Sequence, residues 1–218
     1  MERRTLHIPH INALDSYLEP DVILRVLDEH GVRGHIDKAN WLETFPYRPL
    51  STFTAAHSDK NLYIDFFVRS SFLRAENYAD QSPVSQDSCV EVFLQPKIDG
   101  EYWNFEFNCI GAINASHRYE RPSPTRLTSD ELVLIKRYPS CGTSTFKEKV
   151  GLCVWNLLVV IPLSLLGLEN AAPGTVLRGN FYKCSSASSY PHYLSWNPII
   201  APKPDFHRPE FFGDIILE

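Results

Sequence analysis

Glu91, Asn104, Glu106 and Asn108 lie in one segment, 87–111, which reads DSCVEVFLQPKIDGEYWNFEFNCIG. Carboxylates and carboxamides on a common surface can hold a cation, pair with arginine or lysine, or grip a ligand rich in hydroxyl groups. Whether they share a surface depends on local folding. Val90, Val92 and Leu94 alternate with Cys89, Glu91 and Phe93; Trp103, Phe105, Phe107 and Cys109 alternate with Tyr102, Asn104, Glu106 and Asn108. Both runs have the period of two of a strand. Pro96, Asp99 and Gly100 mark a turn between them, so strands 90–95 and 102–109 are expected to pair as an antiparallel hairpin. With Gln95 opposite Tyr102, Glu91 faces Glu106, Phe93 faces Asn104 and Cys89 faces Asn108. Opposed Cβ atoms sit roughly 4.5–5.5 Å apart, and like charges there are destabilising. Something must compensate. Arg178, Asn180 and Tyr182, alternating on a later strand, are candidates, and a purely structural ion-pair network is the alternative to a binding site.

The elements that must position this hairpin follow from the same patterning. An edge strand is expected over 5–8 and a helix over 19–30, where Pro20 opens the first turn, Val22, Ile23, Val26 and Leu27 form one face and Gly31 stops the run. Residues 36–41 and the segment 45–49 (FPYRP) lead as loops into strands 53–56 and 62–68, which turn at 58–61. Residues 70–86 lack periodicity and are expected to form a long surface loop with a helical turn near 72–78; 119–129 is a second loop. After 132–137, the near-continuous apolar end of 147–161 predicts a strand buried on both faces. Pro162 ends it, and 163–168 makes a helical turn. Strands are expected over 176–184, 193–197 and 214–217, with the proline-rich stretch 198–209 wrapping the surface. Without repeats or a linker, the chain reads as one domain over 1–218, an all-β antiparallel sandwich of immunoglobulin or jelly-roll type with one short N-terminal helix.

Composition narrows the function. The net charge of −5 argues against nucleic acid and anionic membranes as partners. No run approaches a membrane span. No basic segment followed by an apolar one opens the chain, so it reads as cytoplasmic, or as secreted if a leader was removed. The cysteines at 89, 109, 141, 153 and 184 form no CxxC pair; Cys89 and Cys109 point to opposite faces of the hairpin, and all five are expected to be free thiols. His57, His117, His192 and His207 stand in or beside turns without HxH or HExxH spacing, which suits structural hydrogen bonds better than zinc. No GxSxG nucleophile elbow occurs. Trp41, Trp103 and Trp155 read as core or loop anchors. Trp196 either offers a stacking face or shares a face with Leu194 and fills the core.

Several motifs, in order, carry a resemblance: DSCVEVFL, YWNFEFNCIG, the tryptophan followed by IPL, GNFYKC, PHYLSWNPI and FHRPEFFG. From about residue 40 to 217 the chain resembles the family 9-like carbohydrate-binding proteins, relatives of the carbohydrate-binding modules of family 9. The resemblance implies a β-sandwich that binds sugars without cleaving them. It also implies a sugar ring held between two tryptophans with polar contacts from the sheet, and structural calcium ions, which are common in those modules. It places Glu91, Asn108 and Trp196 at matching site positions, while Pro83-Val84-Ser85-Gln86 stands where the first tryptophan is expected. Glu106 and Asn104 complete the expected carbohydrate-binding set. Two alternatives remain. One is a carbohydrate-active enzyme using Glu91 and Glu106, whose carboxyls share one face instead of flanking a bond. The other is a haem-binding redox sandwich, for which Met1, the only methionine, leaves histidine or lysine as other axial ligands.

Overall fold

Alternation sorts the strand side chains into two sets, and both sets find cover. The structure, a computed structural model, describes residues 3–218. In chain order the elements are β1 (Thr5–Ile8), α1 (Pro20–His30), β2 (Val32–His35), β3 (Leu50–His57), β4 (Asn61–Ala75), β5 (Cys89–Gln95), β6 (Tyr102–Asn108), β7 (Ile113–Arg118), β8 (Thr125–Arg126), α2 (Ser129–Leu134), β9 (Lys136–Pro139), β10 (Phe146–Pro162), β11 (Thr175–Ser185), β12 (His192–Ser195) and β13 (Gly213–Leu217). One sheet runs β1-β13-β11-β5-β6-β7-β8, with β12 also beside β11; the other runs β2-β3-β4-β10-β9. Neighbours are antiparallel except β1 and β13. This is the expected sandwich. No helix among the described residues is long and apolar enough to cross a membrane.

The inward set fuses the sheets. Val90, Val92, Leu94, Phe105 and Phe107 pack with Phe53, Ile64, Phe66, Leu157 and Val159, and Phe53 stacks on Phe181 across the interface at 3.7 Å and 11°. Each such side chain contributes about 1.5–3 kcal/mol of burial. The outward set of the second sheet, Ala56, Tyr63, Leu158 and Val160, is covered by Ile23 and Leu27 of α1. That explains the continuous apolar end of β10: alternate residues enter different cores. The expectation of burial on both faces fails for its first half, where Val150 and Leu152 are 75% and 82% exposed. The outward set of the first sheet, which includes Cys89, Phe93, Tyr102, Tyr182 and Cys184, is covered by Trp41 and by residues from 199 to 212.

The hairpin register is as expected, with Glu91 opposite Glu106, Phe93 opposite Asn104 and Cys89 opposite Asn108. Three other expectations need correction. Residues 70–75 are the continuation of β4, paired with β10 across two register shifts; Leu73 and Ala75 enter the core, but Ser70, Ser71 and Arg74 among them mask the apolar alternation of a strand. A second helix, α2, stands where a loop and an unassigned run were expected. Thr128 and Glu131 form a reciprocal capping box that nucleates it. Residues 113–118, unassigned from the sequence, form β7 against β6.

Trp196 is the fourth correction. It is 4% exposed and belongs to the core between the sheets, together with Leu194. Its ring meets Phe181 edge-on at 5.9 Å and 90°. It also lies over the backbone of Gly213, where a Cβ would come within 2.3 Å of Trp196 Cζ3. The alternation that buries Leu194 buries Trp196, so it offers no stacking face to solvent. Trp196→Ala is expected to cost about 3–5 kcal/mol of stability, lowering the melting temperature by about 10 °C for a chain of this length. An unchanged melting temperature in thermal unfolding would place the ring outside the core.

Candidate functional site

The outer face of the first sheet carries polar residues in rows that run across its strands. One row is Tyr182, Glu91, Glu106 and Asn114, from β11, β5, β6 and β7 in turn; the next is Asn180, Phe93, Asn104 and Ser116. Beyond the first row, on the other side, Cys184 lies opposite Cys89. The acid pair is thus built into the sheet register, and both acids are buried, Glu91 at 3% and Glu106 at 7% exposure.

The two carboxylates are supported unequally. Glu106 Oε1 accepts from Asn104 Nδ2 at 3.0 Å and Oε2 from Asn114 Nδ2 at 3.1 Å. Asn104 is oriented in turn, its Oδ1 accepting from Ser116 Oγ at 2.9 Å and from Arg118 Nη2 at 2.8 Å. Burial raises the Glu106 carboxyl, against the lowering effect of Asn114, Arg118 and Asn104. Glu91 has thiols as its hydrogen-bond contacts, Cys184 Sγ at 3.1 Å and Cys89 Sγ at 3.7 Å from Oε1. Burial, reinforced by Cys184 and by the Glu106 charge, pushes its carboxyl well above the usual carboxylate range. Arg178 and Asn180, expected as counter-groups, are turned elsewhere. Arg178 donates to the Phe212 carbonyl, and Asn180 to the Asn197 carbonyl. The neutralising arginine is Arg118, reaching Glu106 through Asn104.

A strap from the proline-rich segment closes over part of this face. Phe206 stacks on Tyr182 at 4.2 Å and 11°, and Trp41 Nε1 fixes the strap by donating to the Ala201 carbonyl at 2.7 Å. His207 packs on Phe93 at 4.9 Å and bonds Tyr102 Oη through Nδ1 at 3.0 Å. Burial, together with Arg118 and Arg121, lowers its pKa to about 3, so the ring is neutral. Between the strap and the loops at Ser85 and Ser186 a cleft of about 140 Å³ remains, with Glu91, Glu106 and Cys184 lining it. Its aromatic residues are Tyr193 and Phe206, and its rim carries the Arg121–Asp205 ion pair at 3.1 Å. That volume is below the roughly 300–1,000 Å³ of sites for drug-sized ligands and suits one small polar ring.

Of the residues expected from the sequence, Glu91 and Glu106 reach the cleft, and Asn104 lies behind them holding Glu106. Asn108 is placed apart. It is fully buried and donates to Asp87 Oδ2 at 3.0 Å and to the Asn77 carbonyl at 2.6 Å, while its Oδ1 accepts from the Ala112 amide at 3.0 Å. With Asp87 also accepting from the Glu76 and Asn77 amides, this knot anchors the 76–88 loop. Trp196 lies on the opposite face of the sheet. Tyr193, Asp205, Phe206 and His207 line the cleft without having been expected there; for the last three the run PKPDFHRP held the signal, since aromatic and charged residues among prolines mark a rigid loop with something to present. The one group of three His, Cys, Asp or Glu ligand atoms converging among the described residues is Cys89, Glu91 and Cys184, a sulfur-rich set unlike the oxygen shell calcium prefers.

Comparison with known proteins agrees with this architecture. A candidate carbohydrate-binding protein from Bacteroides uniformis ATCC 8492 superposes with a TM-score of 0.92 at 30% identity over 100% of both chains. A family 9 carbohydrate-binding module from Caldicellulosiruptor kristjanssonii, in complex with glucose, matches with a TM-score of 0.60 at 14% identity, over 99% of this chain and 96% of its own. The module from the same organism in complex with cellotriose gives 0.58 at 14%, over 99% and 94%. No curated protein matches. The sequence model of carbohydrate-binding family 9 matches residues 22–217, and the chain therefore belongs to carbohydrate-binding family 9.

Proposed function

We propose that this protein binds carbohydrate without cleaving it, in the cleft floored by Glu91 and Glu106. The observation that carries the reading is the conjunction, in a chain of this family, of two opposed buried carboxyls with an aromatic wall in a cleft the size of one ring. A sugar presents hydroxyls at its edge and C–H groups on its faces. Tyr193 and Phe206 match the apolar face. Glu106, held by two amides, accepts from hydroxyl donors, and Glu91, whose carboxyl burial pushes up, is the member of the pair favoured to carry a proton and so to donate. Burial strengthens each of these bonds. The related modules in complex with glucose and cellotriose suggest glucose and its β-linked oligomers as first ligands to try.

The same geometry speaks against hydrolysis. Both carboxyls rise from one floor, from directly paired residues, whereas a glycosidase sets its two acids on opposite sides of the bond it breaks. Nothing in the cleft favours a haem either, since its histidine is already bonded to Tyr102.

Calorimetry with glucose and cello-oligosaccharides, preceded by a glycan array, tests the reading. Glu106→Gln removes one of the two acceptor oxygens of the floor and is expected to weaken binding by about 1.5–3 kcal/mol, roughly ten- to a hundredfold, at little change in melting temperature. Absence of binding to every glycan on the array by folded protein would overturn it. A second outcome concerns pH. The Glu91 carboxyl lies above its ordinary value of 4.5 in the folded state. Its stabilising contribution is therefore fully present below that value and is lost as pH rises through the folded-state pKa. Thermal melts at rising pH should show a progressive loss in the wild type that Glu91→Gln, which cannot ionise, reduces. Parallel profiles for the two proteins would show that Glu91 does not hold its proton.

A further inference from the structure

The cleft floor contains two thiols that the carbohydrate reading leaves unused, beside a carboxyl, Glu91, that it shares. Cys89 and Cys184 are direct cross-strand partners on β5 and β11, and Glu91 Oε1 points between their sulfurs at 3.7 Å and 3.1 Å. All three ligand atoms lie within 4.8 Å of one another, and all three side chains are almost wholly buried. For an ion bound tetrahedrally with metal–sulfur bonds of about 2.3 Å and a metal–oxygen bond of about 2.0 Å, the sulfur–sulfur edge is roughly 3.8 Å and the sulfur–oxygen edges roughly 3.5 Å. The observed sulfur–oxygen spacings lie on either side of that value. A buried carboxyl whose hydrogen-bond partners are two weak thiol donors is, moreover, well suited to take a cation or hold a proton.

We propose that Cys89, Cys184 and Glu91 form a binding site for a thiophilic divalent cation, zinc in the first instance, whose fourth position faces the cleft. The sheet register pre-positions the ligands, because the two cysteines are opposite one another and Glu91 is two residues from Cys89 on the same face. The cleft, which Glu91 and Cys184 line, gives the ion a path of entry and room for a water as fourth ligand. Binding converts both thiols to thiolates and leaves Glu91 ionised, so one divalent cation replaces up to three protons, which pass to solvent. Two thiolates in a set of three ligands select zinc, cobalt or cadmium over calcium and magnesium. Glu106 stands beside the site, held by Asn104 and Asn114, and adds negative potential that favours a cation. The site does not depend on the carbohydrate reading.

The test is a titration of reduced, metal-free protein with cobalt(II) in the absence of any sugar. One equivalent should bind, with an intense near-ultraviolet thiolate-to-cobalt band and the visible bands of tetrahedral cobalt, and zinc should displace it stoichiometrically. Cys89→Ser and Cys184→Ser should each reduce the thiolate band to about half or weaken binding by at least about a hundredfold, more than loss of a supporting residue costs. Glu91→Gln, which leaves both sulfurs in place, should weaken binding while keeping the band. The proposal fails if reduced, folded protein with five titratable thiols develops no band. It also fails if the band persists at full intensity, with undiminished affinity, in both serine variants.

Discussion

The inward packing of Val90, Val92 and Leu94 with Phe105 and Phe107 is the constraint on which the first sheet depends, and it places Glu91 opposite Glu106 across β5 and β6. A slip of one residue would send Val90, Val92 and Leu94 to the outer face and drive the acids into the core between the sheets, so the apolar set fixes the register and the acid pair follows from it. Leaving two carboxylates buried and unsupported would cost several kcal/mol. The surrounding residues reduce that cost unequally. Glu106 receives two amide donors backed by Ser116 and Arg118, whereas Glu91 receives thiols. Two identical side chains in one row thereby acquire different chemistry, one suited to carry charge and the other a proton.

The two outer faces of the sandwich are covered by different means, and only one of them leaves a site. On the second sheet α1 supplies a continuous apolar face, with Ile23 and Leu27 over Tyr63, Leu158 and Val160, so that surface becomes core. On the first sheet the cover is an irregular strap, anchored by Trp41, Phe206 and Phe212 and lacking the regular side-chain spacing that would seal the sheet. The gap beside Phe206 is the cleft. Its location is set by where aromatic anchoring stops, and its polar floor by the rows beneath.

Much of the fold was legible because amphipathic strands announce themselves. The hairpin register, the helix ending at His30 and the split burial at the end of β10 all follow from local periodicity. The far ends of β4 and β10 did not, since their pairing shifts register twice and Val150 and Leu152 on β10 are exposed. The site was half legible. Glu91, Glu106 and Asn104 could be placed together because one hairpin carries them. Asn108 was misread as a ligand residue because sequence position does not reveal that Asp87, 21 residues earlier, claims its amide. Trp196 was misread because family likeness was weighed against the alternation it shares with Leu194, and the alternation was the physical evidence.

Where the family resemblance implies a tryptophan ahead of Asp87, this chain has Pro83-Val84-Ser85-Gln86. Ser85 lines the cleft, and a hydroxyl cannot cover a sugar face as an indole does. The remaining aromatic wall, Tyr193 and Phe206, is braced from behind by Trp41, whose ring lies 6.4 Å from Tyr193 and 6.2 Å from Phe206. The wall is therefore preorganised, which lowers the ordering cost of binding, but it is one-sided. Under the carbohydrate reading proposed above, selectivity rests on matching the hydroxyls of a ring against the floor, where the asymmetry between Glu91 and Glu106 supplies directional donors and acceptors. A site of this kind discriminates by hydrogen-bond pattern more sharply than by apolar area, because an unmatched buried polar group costs more than a missing contact.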